Sequence, residues 1–124
     1  MLTLPPSVRV YLAPGATDMR KSFDGLTHLA RQVIGQDPLS GHLFAFCNRG
    51  KNRLKILFWD GSGLWVLAKR LEKGTFKWPP PAEGQTSLEL TGTELALILE
   101  GLDLSEAARR RWWRLQPAQR LAVG

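Results

Sequence analysis

The order of apolar and polar residues first suggests a strand near the start of the chain. Val8 to Leu12 alternates apolar and polar side chains, as a half-buried strand does. Pro14 and Gly15 follow, a pair typical of turns. The sequence therefore predicts a short first strand that ends at a turn.

A helix is predicted directly after that turn. Thr17 is placed to cap its first turn, and Asp18 lies where the helix dipole favours an anion. Apolar residues then recur at spacings of three and four, which predicts one buried stripe. The stripe consists of Met19, Phe23, Leu26, Leu29, Ala30, Val33 and Ile34. Gly35 and Pro38 are expected to end the helix.

Four later segments have the β-branched and aromatic composition of strands. They are His42 to Cys47, Arg53 to Trp59, Leu64 to Leu71, and Thr75 to Trp78. Their connections are only three or four residues long, so neighbouring strands are expected to form antiparallel hairpins. On the segment Arg53 to Trp59, a period of two places Leu54, Ile56 and Phe58 on one face, which we expect to pack on the helix.

The C-terminal third predicts shorter elements. Thr86 to Leu90 has the pattern of a short strand, and Thr91 with Glu94 has the spacing of a capping box. Ser105 is placed to cap a last helix. The predicted fold is a single α+β domain. In it, an antiparallel sheet of hairpins carries the N-terminal amphipathic helix on one face, and short helices lie at the C-terminal end.

Charge adds a partner class to this picture. The 124 residues carry 17 Lys and Arg against 11 Asp and Glu, a net charge of +6. Residues 40–81 hold eight cations against Asp60 and Glu72, and residues 107–124 hold five arginines and no acid. A basic protein with clustered cations favours nucleic acid, or an acidic protein surface, as its partner.

Catalytic and metal chemistry find little support in the sequence. Cys47 is the only cysteine, which excludes an internal disulfide and any site with several thiolates. The acids are not paired at metal-ligand spacing, and His28 and His42 lie on different elements. We therefore predict a non-enzymatic protein without a metal or cofactor. No run approaches the roughly 18 apolar residues that span a bilayer, so a cytoplasmic location without membrane contact is expected.

Three surfaces are candidates for contact with nucleic acid. The central hairpin offers cations beside an indole, a second stretch adds cations among aromatic residues, and the C-terminal end is rich in arginine. The candidate residues are Arg49, Lys51, Arg53, Lys55 and Trp59; then Lys69, Arg70, Lys73 and Lys77; then Arg109, Arg110, Arg111 and Arg114, which flank Trp112 and Trp113. The alternative is that the cations are only solvated and the tryptophans pack in cores.

Several motifs together resemble one protein family. They are residues 14–26 (PGATDMRKSFDGL), residues 41–44 (GHLF), Asn48 with Arg49, residues 55–61 (KILFWDG), residues 69–74 (KRLEKG), residues 76–79 (FKWP) and residues 95–103 (LALILEGLD). In this order they resemble transposition protein B, the second reading frame of the insertion-sequence sixty-six family of bacterial transposable elements. The resemblance covers roughly residues 5–103, which divides the chain into an accessory domain, 1–103, and an arginine- and tryptophan-rich end, 104–124.

This resemblance implies an accessory role in DNA transposition beside a separate transposase that performs the strand chemistry. It supplies no catalytic residues. The leading hypothesis is that the protein binds DNA at the element ends, or the transposase–DNA complex, through its basic hairpin. The alternative is an adaptor that binds the transposase without touching DNA, with Trp59 or Trp112 as an anchor. A nuclease or nucleotidyl-transfer subunit is a weaker third reading. The oligomeric state and the DNA preference stay open.

Overall fold

The computed structural model describes residues 5–80 and 84–100. Its strands form one five-stranded sheet in the order β4-β3-β2-β1-β5. The strands are β1 (Val10–Leu12), β2 (Leu43–Cys47), β3 (Arg53–Trp59), β4 (Leu64–Arg70) and β5 (Leu88–Leu90). The helices are α1 (Phe23–Leu29), which continues into a π-helical turn at Ala30–Ile34, and α2 (Gly92–Leu99). The α+β class agrees with the sequence prediction.

The sheet is mixed, so the prediction of a wholly antiparallel sheet is wrong. β1 runs parallel to β2, with Val10 opposite Leu43 and Leu12 opposite Ala45. The remaining pairs, β2–β3, β3–β4 and β1–β5, are antiparallel. The physical reason is the crossover between β1 and β2, which contains α1 and the π-helical turn and is long enough to return the chain in the same direction.

The first helix begins later than predicted. Thr17 does not cap it, because Thr17 is buried and its N–H donates to the Cys47 carbonyl at 2.7 Å. That bond, with Ala13 N–H to Ala45 O at 2.9 Å, continues the contact of the first strand with β2 beyond Leu12. The helix instead follows Ser22, and it ends at Gly35, whose φ of 79° is left-handed.

Each face of the sheet carries its own core. The α1 face buries Tyr11, Ala13, Leu26, Ala30, Ile34, Phe44, Phe46 and Leu57. The opposite face, where α2 packs, buries Val10, Leu12, Leu43, Ala45, Cys47, Leu54, Ile56, Phe76, Trp78, Leu90, Leu95 and Ile98. The expectation that Leu54, Ile56 and Phe58 pack on the first helix is therefore wrong. Leu57 faces α1 instead. Both faces of the sheet are covered, so apolar residues on either face of β3 can be buried.

The segment predicted as a strand from Thr75 to Trp78 is irregular. In the part of the chain that the structure describes, one backbone bond, Phe76 N–H to Lys51 O at 2.6 Å, ties it to the turn before β3. The side chains of Phe76 and Trp78 are buried, and the Trp78 indole N–H donates to Ala13 O at 3.2 Å. The aromatic residues of this segment thus indicate that it packs against the sheet, not that it forms a strand of the sheet.

The capping box of α2 forms as the sequence predicts. Glu94 N–H donates to Thr91 Oγ1 at 3.2 Å, and Thr91 N–H donates to Glu94 Oε1 at 3.1 Å. Leu95 and Ile98 of the same helix are buried under the sheet. The helix predicted after Ser105, like the domain boundary near residue 103, lies outside the described residues.

We predict that Thr91→Ala lowers the free energy of unfolding by about 1 kcal/mol, because the N-terminal N–H groups of α2 lose their side-chain acceptor. The measurement is equilibrium urea unfolding of the full chain. Thr93→Ala is the matched control, since Thr93 is exposed within the same helix and alanine favours helix. Equal losses in the two variants would contradict a capping role for Thr91.

Candidate nucleic-acid interface

The turn between β2 and β3 presents two cations on a fixed backbone. Asn48 Oδ1 accepts the N–H groups of Asn52 and Arg53, both at 3.0 Å, and Asn48 Nδ2 donates to Asn52 Oδ1 at 2.8 Å. Lys51 has a φ of 58°, the only positive φ at a non-glycine residue among the described residues. Left-handed backbone costs an L-residue about 1 kcal/mol or more. Arg49 and Lys51 are both exposed on this turn.

Two arginines face each other across β3 and β4. Arg53 lies directly opposite Arg70 in the register. Leu71 N–H donates to Asn52 O at 2.8 Å, so the next pair along is hydrogen-bonded and the arginine pair belongs to the closer, non-hydrogen-bonded kind. In such pairs the Cα atoms are about 4.5 Å apart. Like charges directly opposite destabilise a sheet. An anion bound between the two guanidinium groups would offset that repulsion.

An open cleft of about 490 Å³ lies beside this pair. Of the described residues, four cations, one acid and three apolar residues line it: Arg53, Lys55, Lys69, Arg70, Glu72, Met19, Leu54 and Ala68. The cleft therefore joins two surfaces that the sequence offered separately, the central hairpin and the stretch that starts at Lys69. We call it the basic cleft.

The cations of the basic cleft differ in whether their side chains are hydrogen-bonded to the rest of the fold. Lys55 Nζ donates to the carbonyls of Met19 and Lys21, at 2.9 and 2.8 Å. Lys69 Nζ donates to Leu99 O at 2.8 Å. Among the described residues, no ion pair involves Arg53. Lys55 and Lys69 thus hold neighbouring segments in place, while the charge of Arg53 is directed to solvent.

Arg70 has an acidic partner that a ligand could displace. Its guanidinium lies 3.2 Å from Glu72 Oε1, and both side chains are more than half exposed. Exposed ion pairs contribute little to stability, typically under about 1 kcal/mol. A phosphate with two charged oxygens is a stronger partner for a guanidinium. A phosphate can therefore displace the Glu72 carboxylate from Arg70 at a small cost in free energy.

The segment after β4 places two more cations at the same end of the sheet. The bond between Phe76 and Lys51 holds this segment against the turn before β3. Lys73 and Lys77 are exposed on it, whereas Phe76 and Trp78 point into the core. The turn, the basic cleft and this segment together form what we call the basic end of the sheet.

Trp59 does not join these cations. It lies six residues from Arg53 on the same strand, which is about 20 Å at the rise of a β-strand. Its side chain is half-buried. The arginines at positions 109, 110, 111 and 114 lie outside the described residues.

Two features, one in the basic cleft and one in the loop beside it, could not be predicted from the sequence. The first is the pair of carbonyls, of Met19 and Lys21, that receive Lys55 from more than thirty residues away. The second lies outside the lining, next to Met19, where the Arg20 guanidinium donates to both oxygens of Asp18. These hydrogen bonds from Arg20 lower the pKa of Asp18 to about 2. Asp18 therefore screens a cation near the cleft instead of stabilising a helix start.

Asp60 stabilises the turn at the opposite end of the β3–β4 hairpin. Its carboxylate accepts the Trp65 indole N–H at 2.6 Å and the backbone N–H groups of Ser62 and Gly63. These hydrogen bonds hold the pKa of Asp60 well below its usual range. Within residues 5–80 and 84–100, no three His, Cys, Asp or Glu side chains gather as a metal site would require. No helix in the same ranges is long and apolar enough to cross a membrane.

Comparison with known proteins identifies the family. The family described as IS66 Orf2 like protein matches residues 8–109. The uncharacterized protein y4hO of Sinorhizobium fredii (strain NBRC 101917 / NGR234) is 39% identical over 103 residues, which cover 83% of this chain and 88% of the relative. The uncharacterized protein y4jC of the same strain is 33% identical over 103 residues, 83% of this chain and 86% of the relative. No solved structure gives a significant match.

The fold and its charges define a small basic α+β protein whose described cations concentrate at one end of a mixed sheet. The chain belongs to the IS66 Orf2-like family. The resemblance found in the sequence is thereby confirmed, and the family suggests an accessory role in the transposition of an insertion element. The family is not known as catalytic.

We predict that Lys55→Met lowers the free energy of unfolding by about 1–2 kcal/mol, because two carbonyls of the loop before α1 lose a charged donor. Arg53→Met is the matched control on the same strand and face. It should leave stability unchanged within about 0.5 kcal/mol, or raise it, because it relieves the repulsion with Arg70. Urea unfolding monitored by circular dichroism measures both. A larger loss for Arg53→Met than for Lys55→Met would refute this division of roles.

Proposed function

We propose that this protein is a non-catalytic accessory factor of transposition that binds DNA, alone or with the transposase, through the basic end of the sheet. The observation that carries the proposal is the basic cleft, in which Arg53 stands opposite Arg70 beside Lys55 and Lys69, with Glu72 as the one acid among the described residues of the lining. A partner that supplies negative charge at that point stabilises an arrangement the isolated chain leaves strained. The sugar–phosphate backbone supplies such charge at regular spacing.

The turn before β3 supports the same proposal. The left-handed backbone at Lys51 is held by the Asn48 side chain on one side and by Phe76 on the other. Strained backbone that its surroundings hold in place is characteristic of ligand-contacting loops. Such a turn presents Arg49 and Lys51 without a loss of backbone entropy on binding. The family's association with transposition makes the DNA of the element the expected ligand, with the element-encoded transposase as a second partner.

Contacts with phosphates alone predict a binding mode that depends little on sequence. Base recognition requires side chains that reach into a groove, and phosphate contacts only set position. We therefore infer that the basic end holds DNA for the transposase, which performs the strand chemistry. Any preference for element ends would come from groove shape or from the transposase.

The first test is the salt dependence of DNA binding. Arg53→Gln with Arg70→Gln should weaken binding of a labelled duplex about tenfold or more. It should also reduce the log–log salt slope by about 1.8, since each duplex phosphate contact contributes about 0.9. Fluorescence anisotropy across a salt titration gives both quantities, with an element-end duplex and a scrambled duplex compared in parallel.

The matched control removes the same charge elsewhere. Arg9→Gln with Arg31→Gln also lowers the net charge by two, but neither residue lines the basic cleft. Equal effects of the two double variants would mean that net charge alone drives binding, which would contradict a defined surface. If the unaltered protein ignores DNA near physiological salt but co-elutes with the transposase, the adaptor reading replaces this proposal.

A second prediction concerns Glu72. Glu72→Gln should strengthen DNA binding about two- to fivefold, because a phosphate no longer has to displace the carboxylate from Arg70, an exchange of up to about 1 kcal/mol. Glu89→Gln is the control, since it also removes an exposed Arg–Glu pair, with Arg9, but on the far side of the sheet. Anisotropy titrations of both variants at one salt concentration decide the matter. An equal gain in both would indicate only the change in net charge.

A further inference from the structure

The strand β4 forms one edge of the sheet, and none of the other described strands pairs with its outer side. It pairs with β3 on one side only. Hydrogen-bonded pairs alternate along the hairpin, and the bond from Leu71 N–H to Asn52 O fixes the phase. The backbone groups of Leu64, Val66, Ala68 and Arg70 therefore point away from β3. Within residues 5–80 and 84–100, no backbone bond occupies the outward N–H and C=O groups of these four residues, so they are available to a further strand.

Proteins usually protect such edges with charge, proline or a bulge. In β4 the stretch Leu64–Ala68 contains none of these, and its register with β3 runs without interruption. The face opposite α1 adds exposed apolar surface, because Trp65 is 51% exposed and Leu67 is 39% exposed. The other edge strand, β5, has only three residues, and the Arg9–Glu89 ion pair lies beside it. Protection is thus missing from the stretch Leu64–Ala68 of β4, whereas Lys69 and Arg70 charge its C-terminal end.

We propose that β4 pairs antiparallel with β4 of a second copy of this chain, with the two-fold axis at Leu67. A two-fold axis perpendicular to the sheet keeps each residue on its own face, so it must lie between the two strands at the level of one residue, which then faces its own copy. Leu67 is the midpoint of Leu64–Arg70, so this register pairs all seven residues. It places the outward groups of Leu64 opposite those of Arg70, and those of Val66 opposite those of Ala68.

Charge complementarity selects a second copy in this orientation. Lys69 and Arg70 lie at one end of β4, and the Asp60 carboxylate lies at the other end, bonded to Trp65. Antiparallel pairing brings the cationic end of one copy beside the acidic end of its mate. Lys69 then lies opposite Trp65, a pairing that allows a cation–π contact. A parallel arrangement would align the cations of both copies and is disfavoured.

The apolar contact of this dimer lies on the face of β4 that is opposite to Arg53 and Arg70. Arg53 and Arg70 project on the α1 face, whereas Trp65 and Leu67 project on the opposite face. The proposal does not depend on DNA binding, and its test contains no DNA.

Disulfide trapping tests the register directly. Leu67→Cys introduces a single exposed thiol, which would face its own copy at about 4.5 Å between Cα atoms, a spacing that allows a disulfide. Cys47 is buried, and desolvation raises the pKa of its thiol to about 11, so it does not compete. Under mild oxidation Leu67→Cys should form a covalent dimer at least tenfold faster than Leu39→Cys. Leu39 is similarly exposed, at 43%, but lies in a loop.

Sedimentation analysis tests association of the unaltered chain. The mass should rise from 13.9 kDa toward twice that value as concentration increases into the micromolar range. Leu67→Lys places two cations against each other at the two-fold axis and should weaken association at least tenfold. Leu39→Lys should behave as the unaltered chain. Circular dichroism verifies that both lysine variants are folded.

Three results would overturn the proposal. The first is an unaltered chain that stays monomeric at every concentration, whether its edge meets solvent or is covered by residues 101–124. The second is a dimer that Leu67→Lys leaves intact, because another surface then holds it. The third is equal trapping rates for Leu67→Cys and Leu39→Cys. Faster trapping of Leu67→Cys together with loss of association in Leu67→Lys supports the proposed register.

Discussion

The parallel pairing of β1 with β2 is the constraint on which the rest of this structure depends. It requires a crossover on one face, which α1 and the π-helical turn supply, and it leaves the opposite face to α2 and the segment with Phe76 and Trp78. The buried Thr17, whose N–H reaches Cys47 O, extends this contact past the end of β1. Both faces of the sheet are then largely covered, and most of the described cations lie at strand ends, edges and turns.

The basic end of the sheet follows from that arrangement. Residues brought to it by the turn before β3, by the β3–β4 hairpin and by the segment after β4 are separated by up to about thirty positions in sequence. Two of them serve the fold as well, since Lys55 fixes the loop before α1 and Lys69 donates to Leu99 O. A residue's charge is therefore a poor guide to its role here, and its hydrogen-bond partners are a better one.

Local patterns in the sequence were reliable where neighbouring residues decide the outcome. The bounds of β3 and the capping box of Thr91 and Glu94 follow from alternation and from a short motif. The start of α1 failed for a physical reason, because Thr17 is drawn into the contact with β2 and Asp18 into a bond with Arg20. The direction of β2 relative to β1 is set by the long crossover through α1, which the prediction of hairpins from the short later connections did not take into account.

The candidate site was predictable in part for similar reasons. The cations of the hairpin and of the stretch after Lys69 were recognised by composition alone. Their meeting in one cleft depends on the β3–β4 register, in which Arg53 meets Arg70. The separation of Trp59 from these cations is a matter of strand length, which the period of two does not express. The acceptors of Lys55 are backbone atoms, and a sequence carries no information about which carbonyls stay unpaired.

The β3–β4 hairpin also has a consequence for how two molecules first meet. Its cations lie at one end and Asp60, a carboxylate held ionised by its hydrogen bonds, lies at the other, about 20 Å away at the rise of a strand. Such a separation is a permanent electric dipole along the hairpin. In the field of a polyanion, a dipole experiences a torque that turns its positive end forward. The protein would thus approach the polyanion with the basic end of the hairpin in front. This raises the fraction of collisions that lead to binding and makes that fraction sensitive to ionic strength.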